Sequence, residues 1–522
     1  MAIVSEARKE LTEHIIPFWD KLRDDENGGF YGFMGYDLKL DKNAEKGVIL
    51  HSRILWFYSN CYLVLGDTKC LENARHCFDF MRKYCVDPVN GGVYWLMNAD
   101  GSVSDSMKHT YCQAFFIYAL ASYYDASKDG NALKLALELF ETVEKNCTDE
   151  TAYLEAMSAD WKLIPNDALS ENGLMADKTM NTTLHLLEAY TELYRVSSDE
   201  RVLNRLKFQI RIFLDKIYYK PENRLLVFFD RGLNVIGDIH SYGHDIEATW
   251  LIDRACEVIG DEALTAEVRK MNAAVVQNIA DIAFENGALN NERDKDKISK
   301  MHIWWVQAEG VVGFLNGWQK YGIKRYLDIS EALWNNIKNE IIDKREGGEW
   351  YSQILENGMP DSAKATVDPW KCPYHNGRMC LEVMKRSCTE GDIRYRFKKG
   401  IGWKACHEEN RDIYTAQRSN RGFYQLCEID KETFDKLGTE NGGDPDVLIG
   451  EGRHLFQADD DYYTAPYCTV FDEDFMKLAP WSDAYNRADI DIRMSRELTD
   501  LAVNLFGSEE KNREYRRKKS EK

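Results

Sequence analysis

The chain has 522 residues, 44% hydrophobic and 30% charged, a globular composition with length enough for one large single-core domain plus a smaller one. Its net charge of −20 argues against nucleic acid or an anionic membrane as partner, and no Walker-type phosphate loop is present. The 13 cysteines are scattered, with no C-x-x-C pair and no His spacing suited to zinc, so they read as reduced thiols and no metal is expected.

Met1 to Leu22 alternates charged and apolar residues at helical spacing, which reads as a helix rather than a signal peptide. No apolar run is read as a membrane span, and the expected location is the cytoplasm. Asn27-Gly28-Gly29-Phe30-Tyr31 follows. This Gly-led aromatic stretch recurs as Asn90-Gly91-Gly92-Val93-Tyr94-Trp95, more weakly from Asn223 and Asn286, and again as Gly347-Gly348-Glu349-Trp350-Tyr351. Such recurrence marks a repeat architecture. Two copies run into turn chemistry, Ala99-Asp100-Gly101 and Glu356-Asn357-Gly358, and are read as short hairpins.

Between the hairpins the 3.6-residue period predicts about twelve helices, roughly 4–23, 48–65, 69–86, 110–127, 131–146, 179–196, 200–218, 244–259, 262–284, 304–321, 324–343 and 375–387. The breaks at Gly66-Asp67, Lys128-Asp129-Gly130, Ser197-Ser198-Asp199, Gly260-Asp261 and Gly322 are short enough to join antiparallel neighbours. Even-numbered helices such as 48–65 are apolar on most faces and suit an inner ring; 200–218 carries charge on one face and suits an outer ring. Residues 1–388 are therefore expected to form an all-α (α/α)6 barrel with short β-hairpins at one mouth. An open superhelix of the same pairs is the alternative.

The inner helices carry polar and aromatic groups at their N-terminal ends: His51 and Arg53, Tyr111 and Gln113, Asn181 and His185, His244 and Glu247, then Trp304, Trp305, Gln307 and Glu309, and finally Trp370, His375, Asn376 and Arg378. In a barrel these converge on one mouth. His244 and His375 sit at helix starts, where the dipole disfavours imidazolium and favours a general base. His14, His76, His302 and His407 read as structural histidines. Tryptophans gathered beside acid–base groups would serve as platforms for sugar rings. Histidines, an arginine and glutamates without a metal suit proton abstraction next to a carbonyl. Arg53 would stabilise the enediolate, and two histidines would exchange the C2 proton on opposite faces.

The segments His51-Ser52-Arg53, Asn181-Thr182-Thr183-Leu184-His185, His244-Asp245-Ile246-Glu247, Trp304-Trp305-Val306-Gln307-Ala308-Glu309 and Pro373-Tyr374-His375-Asn376-Gly377-Arg378 resemble the N-acylglucosamine 2-epimerase superfamily, over about residues 1–388. Within it the likeness is to the bacterial members that act on β-1,4-linked disaccharides. The resemblance implies cofactor-independent, reversible C2 epimerisation of the reducing-end glucose of cellobiose and related disaccharides. It implies His244 and His375 as the acid/base pair, His185 in ring opening, Arg53 on the reacting oxygens, and Glu247 and Glu309 orienting the histidines. Asn181 would contact the enediolate region, and Tyr111, Trp304, Trp305 and Trp370 would bind the sugars. Cys112 departs from the glycine expected there.

An aldose–ketose isomerase or monosaccharide 2-epimerase shares the enediolate and stays open. A glycoside hydrolase using Glu247 and Glu309, and a sugar-binding scaffold, are the rivals from other classes. Residues 389–522 are expected to form a small α+β extension of unknown function. Gly391, Gly400 and Gly402 suggest a connector, Tyr414 to Leu455 mixed strands and turns, Thr464 to Val470 a strand, and Arg487 to Phe506 a helix. Asp459-Asp460-Asp461 lacks EF-hand spacing and reads as a solvated turn.

Overall fold

The computed structural model describes residues 2–166, 168, 173–386, 395–400, 403–408, 413–420, 423–439 and 442–459, and the chain divides into two compact units, Met1–Arg386 and Ser387–Lys522. Among its described residues the first unit holds twelve long helices, besides a 3-10 turn at Lys220–Glu222: α1 (2–20), α2 (Val48–Leu65), α3 (68–85), α4 (Thr110–Ser127), α5 (Gly130–Asn146), α6 (Met180–Ser197), α7 (200–217), α8 (Tyr242–Ile259), α9 (Glu262–Ile282), α10 (Trp304–Tyr321), α11 (324–341) and α12 (His375–Arg386). In α1, α3, α7 and α11 one turn is wound as a π-helix, at Leu11–Ile15, Met81–Cys85, Phe213–Ile217 and Ile337–Ile341.

The even helices pack in succession from α2 to α12, and α12 packs back on α2. The ring is closed, which rules out the open superhelix. Composition explains who stands inside. Helix α4 buries every residue from Thr110 to Tyr123, because both its faces meet protein. Outer α7 buries only Val202, Leu206, Gln209, Ile210 and Ile212 of its α-helical segment and turns its charges outward. Helix α2 is long and apolar enough to cross a membrane, which the sequence reading had not flagged; here it is mostly buried in the inner ring.

Each junction from an inner helix to the next outer one is built alike. Gly66, Lys128, Ser198, Gly260 and Gly322 take a left-handed conformation, and each N–H closes the preceding helix. At four junctions an aspartate follows (Asp67, Asp129, Asp199, Asp261) and caps the outer helix by accepting a backbone N–H.

The return from outer to inner helix passes through the recurrent hairpins, closed locally by pairs such as Arg23 with Phe30, Val86 with Val93 and Ile342 with Trp350. A second layer of pairing was not foreseen. The segment before each inner helix pairs with the next repeat: Lys46–Gly47 with Leu96–Met97, Lys108–His109 with Ala156–Met157, Lys178–Thr179 with Phe228–Phe229, Ile239–Ser241 with Glu292–Asp294, and His302–Ile303 with Gln353–Ile354. Val367 pairs with Met34 and completes the belt. These stitches fix the inner-helix N-termini at one end of the barrel.

Buried cations reinforce the belt. Lys46 donates to Asp24, Lys108 to Asp87, Lys178 to Asp149 and Lys371 to Glu349, each lysine essentially inaccessible. Losing one partner of such a pair costs about 3–5 kcal/mol, because the other stays buried and charged.

The described residues of the second unit form a five-stranded antiparallel meander of β1 (Tyr395–Gly400), β2 (Trp403–Glu408), β3 (Ile413–Asn420), β4 (Phe423–Ile429) and β5 (Arg453–Asp459). Short helices α13 (Lys431–Lys436) and α14 (Pro445–Gly450) lie between β4 and β5 in the chain. Trp403, Ala405, Tyr414, Cys427, Phe434 and Ile449 belong to its own small core. Gly400, read as part of a connector, instead ends β1 opposite Trp403. The expected strand at 464–470, the helix at 487–506 and Asp460-Asp461 lie outside the described residues.

Candidate active site

A cavity of about 570 Å³ is lined from all six inner helices: Arg53 of α2, Tyr111 of α4, Asn181 and His185 of α6, His244 and Glu247 of α8, Trp304 and Trp305 of α10, and His375 of α12. Trp370, just before α12, joins them. The residues given a catalytic or sugar-binding role from sequence thus all line one cavity except Glu309, which lies fully buried behind His375. His51, Gln113 and Gln307 face elsewhere. His51 Nε2 accepts from the Phe30 N–H, while Gln113 and Gln307 clamp the backbones of Val93 and Leu289. They brace hairpins. Cys112 is buried outside the cavity lining, its thiol on the Tyr94 carbonyl.

The histidines differ in what stands behind them. His375 opens α12, and its Nδ1 lies 2.8 Å from Glu309 Oε1. A carboxylate there requires Nδ1 to carry the hydrogen, which leaves Nε2 as the basic nitrogen. His244 Nδ1 lies 2.7 Å from Ser241 Oγ, a hydroxyl that can donate or accept. Trp305 touches both imidazoles, with ring centroids 4.6 Å from His244 and 5.6 Å from His375. Burial, followed by His185, brings His244 down to about 3. Burial and then Arg378 hold His375 well below the ordinary imidazole range. Both rings are neutral bases at neutral pH, with burial as the leading cause.

His185 lies one turn inside α6, with Nδ1 2.9 Å from Glu188 Oε2 and its ring against Tyr111 and Phe115 at 5.0 and 4.8 Å. Sequence reasoning passed over Glu188 because, on an apolar helix, it looks like any polar residue; its spacing three after a cavity histidine was the available signal. The floor is organised by Arg378, also left without a role. Its guanidinium donates to Glu188, Glu247 and Glu309 and to the Tyr374 hydroxyl. One buried cation therefore serves three buried carboxyls. Burial alone would raise Glu188, but Arg378 and His185 outweigh it and hold Glu188 near 2. Burial and neighbouring Glu309 raise Glu247 to about 7 despite Arg378.

Glu247 was expected to orient a histidine. Among the described residues it hydrogen-bonds to no imidazole; one oxygen takes Arg378 and Oε2 is buried without a partner. Donor atoms of Glu247, Glu309 and His375 lie within 4.8 Å of one another, a spacing a metal ion also uses. The cation these carboxyls hold is the Arg378 guanidinium.

Arg53 Nη2 donates to the Tyr111 hydroxyl at 2.8 Å and Nη1 to the Trp370 carbonyl at 3.3 Å, while its guanidinium lies over Phe115 and Tyr374. Its Nε, Asn181 Oδ1 and Trp304 Nε1 are buried with no hydrogen-bond partner among the described residues. Such atoms cost free energy unless a ligand meets them. Gly243 is a further requirement the sequence did not flag: a Cβ there would come within 2.6 Å of the Trp305 ring.

The closed barrel of helix pairs, with imidazoles, an arginine and tryptophans around one cavity, is that of a carbohydrate epimerase, an enzyme of the isomerase class, by the family and relatives it matches. The N-acylglucosamine 2-epimerase (GlcNAc 2-epimerase) family profile matches residues 28–376. The chain belongs to this family. It is 59% identical over 384 residues to a cellobiose 2-epimerase of Ruminococcus albus, covering 74% of this chain and 99% of that protein. It is 44% identical over 382 residues to one of Dictyoglomus turgidum, covering 73% and 98%. The solved cellobiose 2-epimerase of Bacillus thermoamylovorans superposes with a TM-score of 0.71 at 43% identity, covering 74% of this chain and 99% of that one.

Proposed function

We propose that the chain catalyses reversible epimerisation at C2 of the reducing-end glucose of cellobiose and related β-1,4-linked disaccharides, giving the mannose-ended product through a cis-enediolate. The observation that carries this reading is the pair of neutral imidazoles, His244 and His375, bridged by Trp305 on the cavity wall. The names of the similar proteins supply the substrate class.

In this mechanism His185 accepts the anomeric hydroxyl proton and the sugar ring opens. One histidine then removes the C2 proton. Its bonding pair forms the C1–C2 double bond while the carbonyl electrons move to O1. Arg53 would donate to that oxygen and Asn181 would contact the enediolate region; stabilising the charge in a dry site contributes roughly several kcal/mol. The second histidine delivers a proton to the other face of C2, and the carbonyl re-forms with inverted configuration. Glu309 orients His375, and Ser241 orients His244. The tryptophans and Tyr111 hold the two rings. Proton exchange at C2 transfers no electrons, so the reaction needs no redox nucleotide, and the Arg53 guanidinium supplies the positive charge for O1; a cytoplasmic location suits an enzyme whose thiols stay reduced.

Product analysis tests this. Incubation with cellobiose should yield a mannose-ended disaccharide with the glycosidic bond intact. Free glucose would assign Glu247 and Glu309 to hydrolysis, and a ketose-ended product would assign the second proton to C1.

A further inference from the structure

The carboxyls around Arg378 are not equivalent. Glu309 stands behind His375, and Glu247 presents an unpartnered oxygen. Glu188 alone joins a histidine, a tyrosine hydroxyl and the guanidinium: its Oε2 meets His185 Nδ1 at 2.9 Å, the Tyr374 hydroxyl donates to it at 2.7 Å, and Arg378 donates to Oε1. Glu188 is 3% exposed and His185 2%, so no bulk water competes for these bonds.

Two physical consequences follow. A carboxylate facing Nδ1 fixes the tautomer, so Nδ1 carries the hydrogen and Nε2 is the acceptor. A buried negative charge beside the ring also stabilises the imidazolium that forms when Nε2 takes a proton. His244, with a hydroxyl on Nδ1, has no such support. His375 shares this arrangement through Glu309, but it opens α12 and is assigned to C2, whereas His185 lies one turn inside α6 and is free for proton transfer between oxygens.

We propose that Glu188 is a positioning residue for ring opening, holding the His185 tautomer and balancing the imidazolium that His185 becomes. The inference rests on the reading that His185 opens the ring. His185 Nε2 takes the proton from O1–H, and the freed pair forms the C1–O1 double bond. The C1–O5 bond breaks with its pair going to O5, and the imidazolium returns the same proton to O5. Glu188 is charged throughout and exchanges no proton.

A double-mutant cycle on the full chain tests this, with turnover of cellobiose measured across pH 5–9 for wild type, His185→Ala, Glu188→Gln, Glu188→Asp and His185→Ala/Glu188→Gln. Circular dichroism spectra and melting temperatures serve as the fold control. Glu188→Gln should lower kcat by about 100-fold with KM nearly unchanged and an altered pH profile. Glu188→Asp, which keeps the charge, should recover part of the loss. The double variant should be no slower than His185→Ala alone, because Glu188 acts only through His185. Losses that multiply, or a Glu188→Gln profile parallel to wild type, would overturn the proposal while leaving His185 in place. Near wild-type turnover by His185→Ala would remove the reading beneath it.

Discussion

Replacing Glu247 by glutamine should change how the barrel's stability depends on pH. Burial and the adjacent Glu309 raise this carboxyl from 4.5 to about 7. The displacement is worth about 3 kcal/mol. A raised folded-state pKa means the contribution is fully present below 4.5 and is lost as pH rises through 7, where a third buried charge must form around one guanidinium. Glutamine mimics the protonated carboxyl and can still accept from Arg378. At pH 5 the variant and wild type should therefore unfold at nearly the same free energy. At pH 8 the variant should be more stable by roughly 2–3 kcal/mol. Urea unfolding at the two pH values, followed by circular dichroism, measures the difference directly. The same stability difference at both pH values would refute the raised titration of Glu247.

Other predictions concern the site and the chain's two units. His244→Ala and His375→Ala should each remove nearly all turnover while the protein stays folded; retention of more than about a tenth of wild-type activity by either would rule out the paired-histidine mechanism. Gly243→Ala should push Trp305 off the two imidazoles and lower kcat by about 100-fold, the cost of an ångström-scale misplacement, with an unchanged far-ultraviolet circular dichroism spectrum. Ending the chain after Arg386 should leave epimerisation intact, since Met1–Arg386 is compact by itself. Loss of folding on that truncation would make the second unit a required part of the barrel.

The helical ring was legible because its punctuation is local. A left-handed residue followed by a capping aspartate, as at Gly66-Asp67 and Gly260-Asp261, marks a boundary whatever surrounds it. The convergence of Arg53, His185, His244 and His375 followed from their shared place at inner-helix starts. What sequence spacing does not carry is contact across the ring. Glu188 meets Arg378 and Tyr374 across 190 and 186 positions, and Arg378 meets Glu247 across 131. Gly243 was invisible for the same reason, since its constraint is an indole on another helix. The strand stitches were missed because two-residue strands have no readable period, and Gly400 misled because a glycine at a strand end looks like one in a connector.

Incubation with cellobiose in deuterium oxide, followed by proton NMR of product formed in early turnovers, tests the central claim most directly. Exchange through two solvent-linked histidines predicts a mannose-ended disaccharide carrying deuterium at C2 and no label at any other carbon. A mannose-ended product that keeps its original C2 hydrogen would contradict proton exchange between His244 and His375.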